Sequence, residues 1–158
     1  MKRLLVTIIL FWGAFCLAFA QMTVSPGSSN FTLQVKRCIA EGDDVCIDLV
    51  FTGNGRWDVL HFYDSCEAYD DEGNSYKGSN AYKTDTRNSI YFEYDNMTKV
   101  RFSHLSIPKD VPRKLRLRIT DVDEYASSFV KISLPCDGNA SSANSFVVNI
   151  KNLSITRE

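Results

Sequence analysis

The sequence contains little of what enzyme active sites are usually built from. Only two histidines, His61 and His104, occur among its 158 residues, and neither a Gly-x-Ser-x-Gly elbow nor a known cysteine-nucleophile signature accompanies them. His61 lies among aromatic residues and His104 lies beside Leu105, positions where a packed or strand-edge histidine is more common than a catalytic one. We therefore predict a protein that is not an enzyme, with no catalytic residue and no cofactor.

Helical periodicity is also scarce. Beyond residue 20, apolar residues nowhere recur at i, i+3, i+4 and i+7 for three turns, and the best helical candidate is a single turn at 122–127. A parallel sheet needs crossover helices, so their absence leaves an antiparallel β-sandwich or a barrel.

The chain has instead an apolar period of two, which is the period of strands. Residues 57–64 are nearly all bulky, which predicts a central strand covered on both faces. Turn signals such as Gly53-Asn54-Gly55 separate the runs. We predict one all-β domain, an antiparallel immunoglobulin-like β-sandwich of about nine or ten short strands. Apolar runs lie at 31–36, 45–52, 57–64, 89–94, 99–105, 114–119, 129–134 and 145–150, and a hairpin lies at 66–79.

The first 20 residues have the pattern of a signal peptide. Lys2 and Arg3 precede an apolar run of 17 residues that ends in Ala-Phe-Ala, which predicts cleavage before Gln21. The run is short for a membrane anchor, and a turn-rich segment follows it. We expect a signal peptide at 1–20, a flexible segment at 21–29 and a single sandwich domain at 30–158. The protein would be secreted or periplasmic, without stable membrane insertion after signal removal.

The charge balance disfavours nucleic acid as a partner. Without Lys2 and Arg3 the chain has 16 basic and 19 acidic residues, a formal charge of −3. A general binder of nucleic acid or of anionic membranes is usually basic. An apolar fraction of 44% and a charged fraction of 23% are typical of a globular domain.

Four cysteines follow the expected cleavage point, and an even number in an exported chain predicts two disulfides. Their spacings of 8, 20 and 70 residues do not match a zinc site. A hairpin centred on Gly42 would place Cys38 opposite Cys46. The preferred pairing is therefore Cys38 with Cys46 and Cys66 with Cys136, although three pairings are possible.

Acidic clusters offer oxygen ligands for calcium, at 70–72 and at Asp121, Asp123 and Glu124. The first lacks the alternating spacing of an EF-hand, and Asp and Asn at a hairpin tip usually serve the turn itself. No metal site is predicted.

A binding surface is the remaining functional hypothesis. Tyrosines punctuate the polar connection 76–94, and basic residues project from one strand face, where they would hold an acidic glycan or simply be solvated. The predicted surface consists of Tyr76, Tyr82, Tyr91, Tyr94, Lys114, Arg116 and Arg118.

Two segments carry a resemblance to a known group. The hairpin CEAYDDEGNSY at 66–76 contains Asp-x-x-Gly-Asn-x-Tyr, and the proline-containing loop PKDVPRKL follows at 108–115. This layout resembles secreted bacterial immunoglobulin-like domains of largely unassigned function, the group that includes the immunoprotective extracellular protein. The resemblance implies a fold and an exported bacterial context, and it implies no catalytic residue.

We therefore expect an exported, non-enzymatic binding or accessory module for an unknown protein or glycan. The alternatives are a small secreted hydrolase with an unrecognised site and a purely structural cell-envelope protein. Sequons at Asn30, Asn96, Asn139 and Asn152 leave a eukaryotic ectodomain open as another context.

Overall fold

The structure, a computed structural model, describes residues 21–78, 87–94, 98–100 and 103–157, with the backbone alone at 94, 98–100 and 103. The expected signal peptide lies outside the described residues. The described part contains twelve strands and one turn of 3-10 helix, Ser142–Asn144. The strands are β1 Thr23–Ser25, β2 Phe31–Glu41, β3 Asp44–Gly53, β4 Val59–Phe62, β5 Glu67–Asp70, β6 Ser75–Gly78, β7 Ser89–Tyr94, β8 Thr98–Val100, β9 Ser103–Ser106, β10 Pro112–Ile119, β11 Ser128–Gly138 and β12 Ser145–Ser154.

The strands join into one sheet in the order β1-β12-β11-β5-β6-β7-β10-β3-β2, with β4 between β11 and β9 and with β8 beside β7. The sheet nearly closes, because the chain after β12 returns to β2. There the Ala40 amide donates to the Thr156 carbonyl at 2.9 Å, and the Thr156 amide donates to the Cys38 carbonyl at 2.9 Å. The all-β prediction is confirmed. The immunoglobulin-like sandwich is not confirmed, because the strands form a barrel-like sheet.

Several finer expectations need correction. The pairing is not wholly antiparallel, since β6 and β7 run parallel. Turn signals mark where a strand ends but not the direction in which the next one returns. The segment expected to be flexible, 21–29, contains a short strand, β1, which pairs with β12. The best helical candidate, 122–127, is not helical, and the one 3-10 turn of the described residues lies at Ser142–Asn144.

The core forms on the inner face of the sheet, where the apolar residues of neighbouring strands lie side by side. Leu115 of β10 pairs with Leu49 of β3, and both side chains are buried. Phenylalanine rings fill the interior of the sheet. The Phe51 and Phe62 ring centroids lie 5.5 Å apart, and those of Phe62 and Phe92 lie 5.4 Å apart. Each buried ring contributes on the order of 2–3 kcal/mol of transfer free energy.

The strand expected at 57–64 is shorter than predicted and is covered fully on one face only. It comprises Val59–Phe62, and His61 lies half-buried on the face away from the core. Trp57 lies before the strand and packs on Gly138, where a Cβ atom would stand 2.2 Å from the indole ring. Gly138 is therefore required by the close approach of the indole ring.

The β2–β3 hairpin corrects the expected register of the cysteines. Glu41 pairs with Asp44 around a two-residue loop in which Gly42 has a φ of 67°, as a type II′ turn requires of its first residue. The hairpin centre therefore lies half a residue beyond Gly42, and Cys38 opposes Ile47 instead of Cys46. A one-residue change of partner turns a side chain to the other face of the sheet.

The two predicted disulfides are absent from the described residues. Cys38, Cys46, Cys66 and Cys136 are all buried free thiols. Cys38 belongs to the hydrophobic core, whereas Cys46 lies on the opposite face of the hairpin, directly beside Arg118 of β10.

Candidate binding surface

The tyrosines of the predicted surface do not form it. Tyr76 is fully buried, and its hydroxyl donates to Asp70 Oδ2 at 2.7 Å. Tyr91 is 5% exposed, because β7 is an interior strand between β6 and β10. Tyr82 lies outside the described residues, as does the side chain of Tyr94. The expectation that Tyr76 and Tyr91 are exposed is therefore wrong.

The basic stripe on β10 is largely neutralised by carboxylates. Arg116 Nε lies 2.8 Å from Asp48 Oδ1, and Arg37 of β2 pairs with the same carboxylate from the other side. Burial raises the pKa of Asp48, but the hydrogen bonds from Arg116 and Arg37 outweigh it, and the pKa lies below its usual value. Of the predicted cations on β10, Lys114 alone is exposed to solvent.

Arg118 is the centre of a second ion-pair cluster on the same face. Its Nε lies 2.6 Å from Glu93 Oε1, and its Nη1 and Nη2 lie 3.1 Å from Asp44 Oδ2 and 3.2 Å from Glu41 Oε2. Three carboxylates around one guanidinium leave no excess positive charge. Arg116 and Arg118 therefore do not supply the anion-binding face that their spacing suggested.

The acidic clusters serve loops. Asp70 Oδ1 accepts hydrogen bonds from the backbone amides of Glu72 and Asn74, at 3.1 and 2.8 Å, which fixes the hairpin tip. The Asp71 carboxylate accepts from the backbone and hydroxyl groups of Ser127 and Ser128, which ties the hairpin to the start of β11. Within the described residues, no three His, Cys, Asp or Glu side chains converge as a metal-binding group.

A different row of residues carries unpaired charge on the outer face of β5, β11 and β12. Lys131 of β11 lies directly opposite Lys151 of β12, and on its other side it lies opposite Tyr69 of β5. Directly opposite residues project from the same face of a sheet, with Cβ atoms about 5 Å apart. All three side chains are exposed. We call Tyr69, Lys131 and Lys151 the lysine row.

Electrostatics make the lysine row unusual. Like charges directly opposite one another destabilise a sheet by a few tenths of a kcal/mol or more. Among the residues that the structure describes, neither Lys131 nor Lys151 forms an ion pair. The row therefore has two adjacent cations that a bound anion would neutralise. Exposed apolar surface lies beside it at Val130, which precedes Lys131 and is 46% exposed.

Tyr69 is held in place beside the lysines. Its hydroxyl donates to Glu67 Oε2 at 3.0 Å, two residues along the same strand. That hydrogen bond and the negative charge of Glu67 raise the pKa of Tyr69 above its usual value, so the phenol is neutral at physiological pH. A fixed ring next to cations is suited to stacking on a sugar that carries an acidic group.

The two histidines form a pair on the same outer face, on β4 and β9. His61 opposes His104, with His104 Nδ1 at 3.2 Å from His61 Nε2 and ring centroids 4.1 Å apart. Asp137 of β11 lies opposite His61 on the other side, and its Oδ2 accepts a hydrogen bond from the Tyr63 hydroxyl. Asp137 Oδ1 is buried and has no hydrogen-bond partner in the described structure.

The sequence offered only indirect signals for these two features. Each histidine by itself gives no signal, although both lie in predicted strands that a pairing could bring together. The lysine row was missed because a β-bulge after Phe129 leaves Val130 and Lys131 exposed in succession, which breaks the alternation of the run.

The comparisons with known proteins assign no family. No protein-family model matches the chain, and no curated protein matches it. Among the described residues, no helix has the length and apolar character needed to cross a membrane.

Proposed function

We propose that the chain is an exported, non-enzymatic binding or accessory module that recognises an acidic glycan through the lysine row. The apolar run after Lys2 and Arg3 supports export, to a secreted or periplasmic location. We also propose that the chain is related to the secreted bacterial immunoglobulin-like domains that its sequence resembles. The barrel-like sheet would then be a variant of the immunoglobulin-like fold.

The observation that carries the proposal is the juxtaposition of Lys131 and Lys151. Both are exposed, and neither has a carboxylate partner among the residues that the structure describes. The repulsion between two such opposed cations lowers stability, and a bound anion would relieve it. On β10, by contrast, Arg116 and Arg118 both have carboxylate partners. The formal charge of the expected mature chain is negative, so attraction of an anion to this row is local and not a property of the whole surface.

The glycan is preferred over other anions because Tyr69 completes the row. Aromatic rings stack on the apolar faces of sugars, while ammonium groups bind carboxylate or sulfate substituents. An interaction of this type is electrostatic and exposed, so it weakens as salt rises above about 0.15 M.

The rival hydrolase has less support. The ring nitrogens of His61 and His104 that lie closest together face each other at 3.2 Å, and a general base needs its nitrogen directed at a nucleophile. The thiols are poor nucleophiles, since burial raises the pKa of Cys66 and of Cys136 to about 12. A purely structural role in the cell envelope would not explain why two exposed lysines lie directly opposite each other.

The test compares two double variants with the same change of charge. Lys131→Ala/Lys151→Ala should abolish binding to immobilised heparin and to oligogalacturonate, measured by surface plasmon resonance. Lys36→Ala/Lys114→Ala removes two exposed strand lysines outside the row and should leave binding within about twofold, since surface changes seldom alter the fold. Equal losses in both variants, or no binding by the wild type, would contradict the proposal.

A further inference from the structure

The two histidines of the chain are 43 positions apart and meet because β4 and β9 pair in one register. Opposing residues on neighbouring antiparallel strands present their side chains on the same face, about 5 Å apart at Cβ. Imidazole is a common ligand of zinc and copper. The fold thus assembles two metal-binding groups that the sequence keeps far apart.

We propose that His61 Nε2 and His104 Nδ1 chelate one divalent late first-row metal ion, Zn²⁺ or Cu²⁺, independently of the lysine row. The two nitrogens are 3.2 Å apart, and with metal–nitrogen bonds of 2.0–2.1 Å this spacing corresponds to a nitrogen–metal–nitrogen angle of about 100–105°. That angle lies between the square-planar and tetrahedral values, so both ions are compatible with the pair.

The remaining coordination positions belong to water. His104 is exposed and His61 is half-buried, which leaves the metal accessible from solvent. No third His, Cys, Asp or Glu of the described structure joins the pair in a metal-binding group. The site is therefore a two-nitrogen chelate with an open coordination sphere, which is the kind of site that holds an exchangeable ion.

Metal binding to the pair requires a change of tautomer in one of the two imidazole rings. In the neutral pair, one of the two facing nitrogens carries the hydrogen of the His61–His104 contact. Metal binding needs both lone pairs, so that proton moves through solvent to the other nitrogen of the same ring. This transfer is a change of tautomer within one neutral ring, so it releases no proton by itself.

Asp137 provides a second, independent observation. It lies opposite His61 on β11, is 4% exposed, and has an Oδ1 atom that is buried without a hydrogen-bond partner in the described structure. A buried carboxylate beside a histidine favours a nearby cation, and carboxylates frequently support metal-binding histidines from the outer shell. A metal at the histidine pair would place a positive charge on the same face of the sheet as Asp137, which pairs with His61.

Calorimetric titration of the tag-free, EDTA-stripped protein with CuCl₂, and separately with ZnCl₂, tests the proposal. We expect one ion per chain in the wild type, and a loss of affinity of more than about a hundredfold in His61→Gln and in His104→Gln, because an outer-shell change alone costs about 10–100-fold. Ser106→Gln is the matched control, since Ser106 is exposed on the same strand as His104. Its affinity should equal that of the wild type.

A second measurement keeps the proposal falsifiable if either variant fails to fold. In the wild type, sub-stoichiometric Cu²⁺ should first broaden the amide signals of residues 60–62 and 104–106 in a ¹⁵N correlation spectrum. Broadening centred elsewhere, unchanged affinity in a folded histidine variant, or no binding at 1 mM metal would each overturn the proposal.

Discussion

Cys38 and Cys46 lie on opposite faces of the β2–β3 hairpin, because Cys38 pairs with Ile47 and Cys46 pairs with Ile39. Their side chains therefore point away from each other, one into the core and the other toward Arg118. Burial, together with the charge of the Cys46 thiolate across the hairpin, raises the pKa of Cys38 to about 12. Burial and the contact with Glu41 raise the pKa of Cys46 to about 12.

These thiols should react slowly in the folded protein. With a pKa of about 12 the thiolate fraction at pH 8 is about three orders of magnitude smaller than for a free cysteine of pKa about 8.5. We expect iodoacetamide to label no cysteine of the native protein within an hour and all four after denaturation without reductant. A Cys38–Cys46 linkage in a non-reducing peptide map would contradict the hairpin register.

Replacing Arg118 should destabilise the domain, although the residue was predicted to lie on a binding surface. The side chain of Arg118 is 19% exposed and that of Glu93 is 9% exposed, so Arg118→Ala leaves a nearly buried carboxylate without its partner. We expect a loss of about 2–4 kcal/mol in the free energy of unfolding, measured with urea. Lys114→Ala should stay within about 0.5 kcal/mol.

A double variant separates the lost ion pair from lost packing. Arg118→Ala/Glu93→Gln removes the isolated charge and should recover part of the stability. If the double variant is as unstable as the sum of the two single variants, the ion pair is not the cause of the loss.

Removal of the hydroxyl group should affect stability much more at Tyr76 than at Tyr69. Tyr76→Phe deletes a buried donor to Asp70, and we expect a cost of about 1–2 kcal/mol in thermal or urea unfolding. Tyr69→Phe deletes an exposed hydrogen bond to Glu67 and should change stability by less than about 0.5 kcal/mol. Similar small effects for both would place Tyr76 outside the core.

Acid should destabilise the domain through carboxylates whose pKa is lowered by folding. The pKa of Asp48 lies below its usual value because hydrogen bonds from Arg116 and Arg37 outweigh the effect of burial. Asp71 behaves similarly, since hydrogen bonds from Ser127 and Ser128 outweigh the effect of burial on its pKa.

The sign follows from the linkage between proton binding and folding. A lowered folded-state pKa gives stability that is complete above the unfolded-state pKa of about 3.9 and is lost as the pH falls through the folded-state value. We expect the free energy of unfolding to decrease as the pH is lowered below about 4. The decrease should be less steep in Asp48→Asn. Glu72→Gln, at the exposed hairpin tip, is the control. Parallel curves for the wild type and Asp48→Asn would contradict this assignment.

The sequence was informative where burial alone determines the structure. The alternation of Leu115, Leu117 and Ile119 with charged residues predicted β10 and its inward face, because a period of two separates the two faces of a strand. The hairpin at 66–79 was also predicted, because its tip at 71–74 consists of turn-forming residues.

What could not be predicted depends on register and on pairing between distant strands. A shift of half a residue at Gly42 separated Cys38 from Cys46, and no local signal distinguishes these two hairpin centres. The Lys131–Lys151 and His61–His104 pairs depend on which strands become neighbours. Carboxylate partners supplied by other strands neutralise Arg116 and Arg118, so their alternation on β10 indicated a strand and not a free charge.

The most direct test of the central claim, that the lysine row is the recognition surface, is a ¹⁵N–¹H NMR titration with a heparin-derived hexasaccharide. We predict that the amide shifts that change most belong to residues 67–69, 130–133 and 149–151, and that the changes shrink as salt is raised. Changes centred on residues 34–36 and 112–116, or spread evenly over the exposed lysines, would contradict the claim.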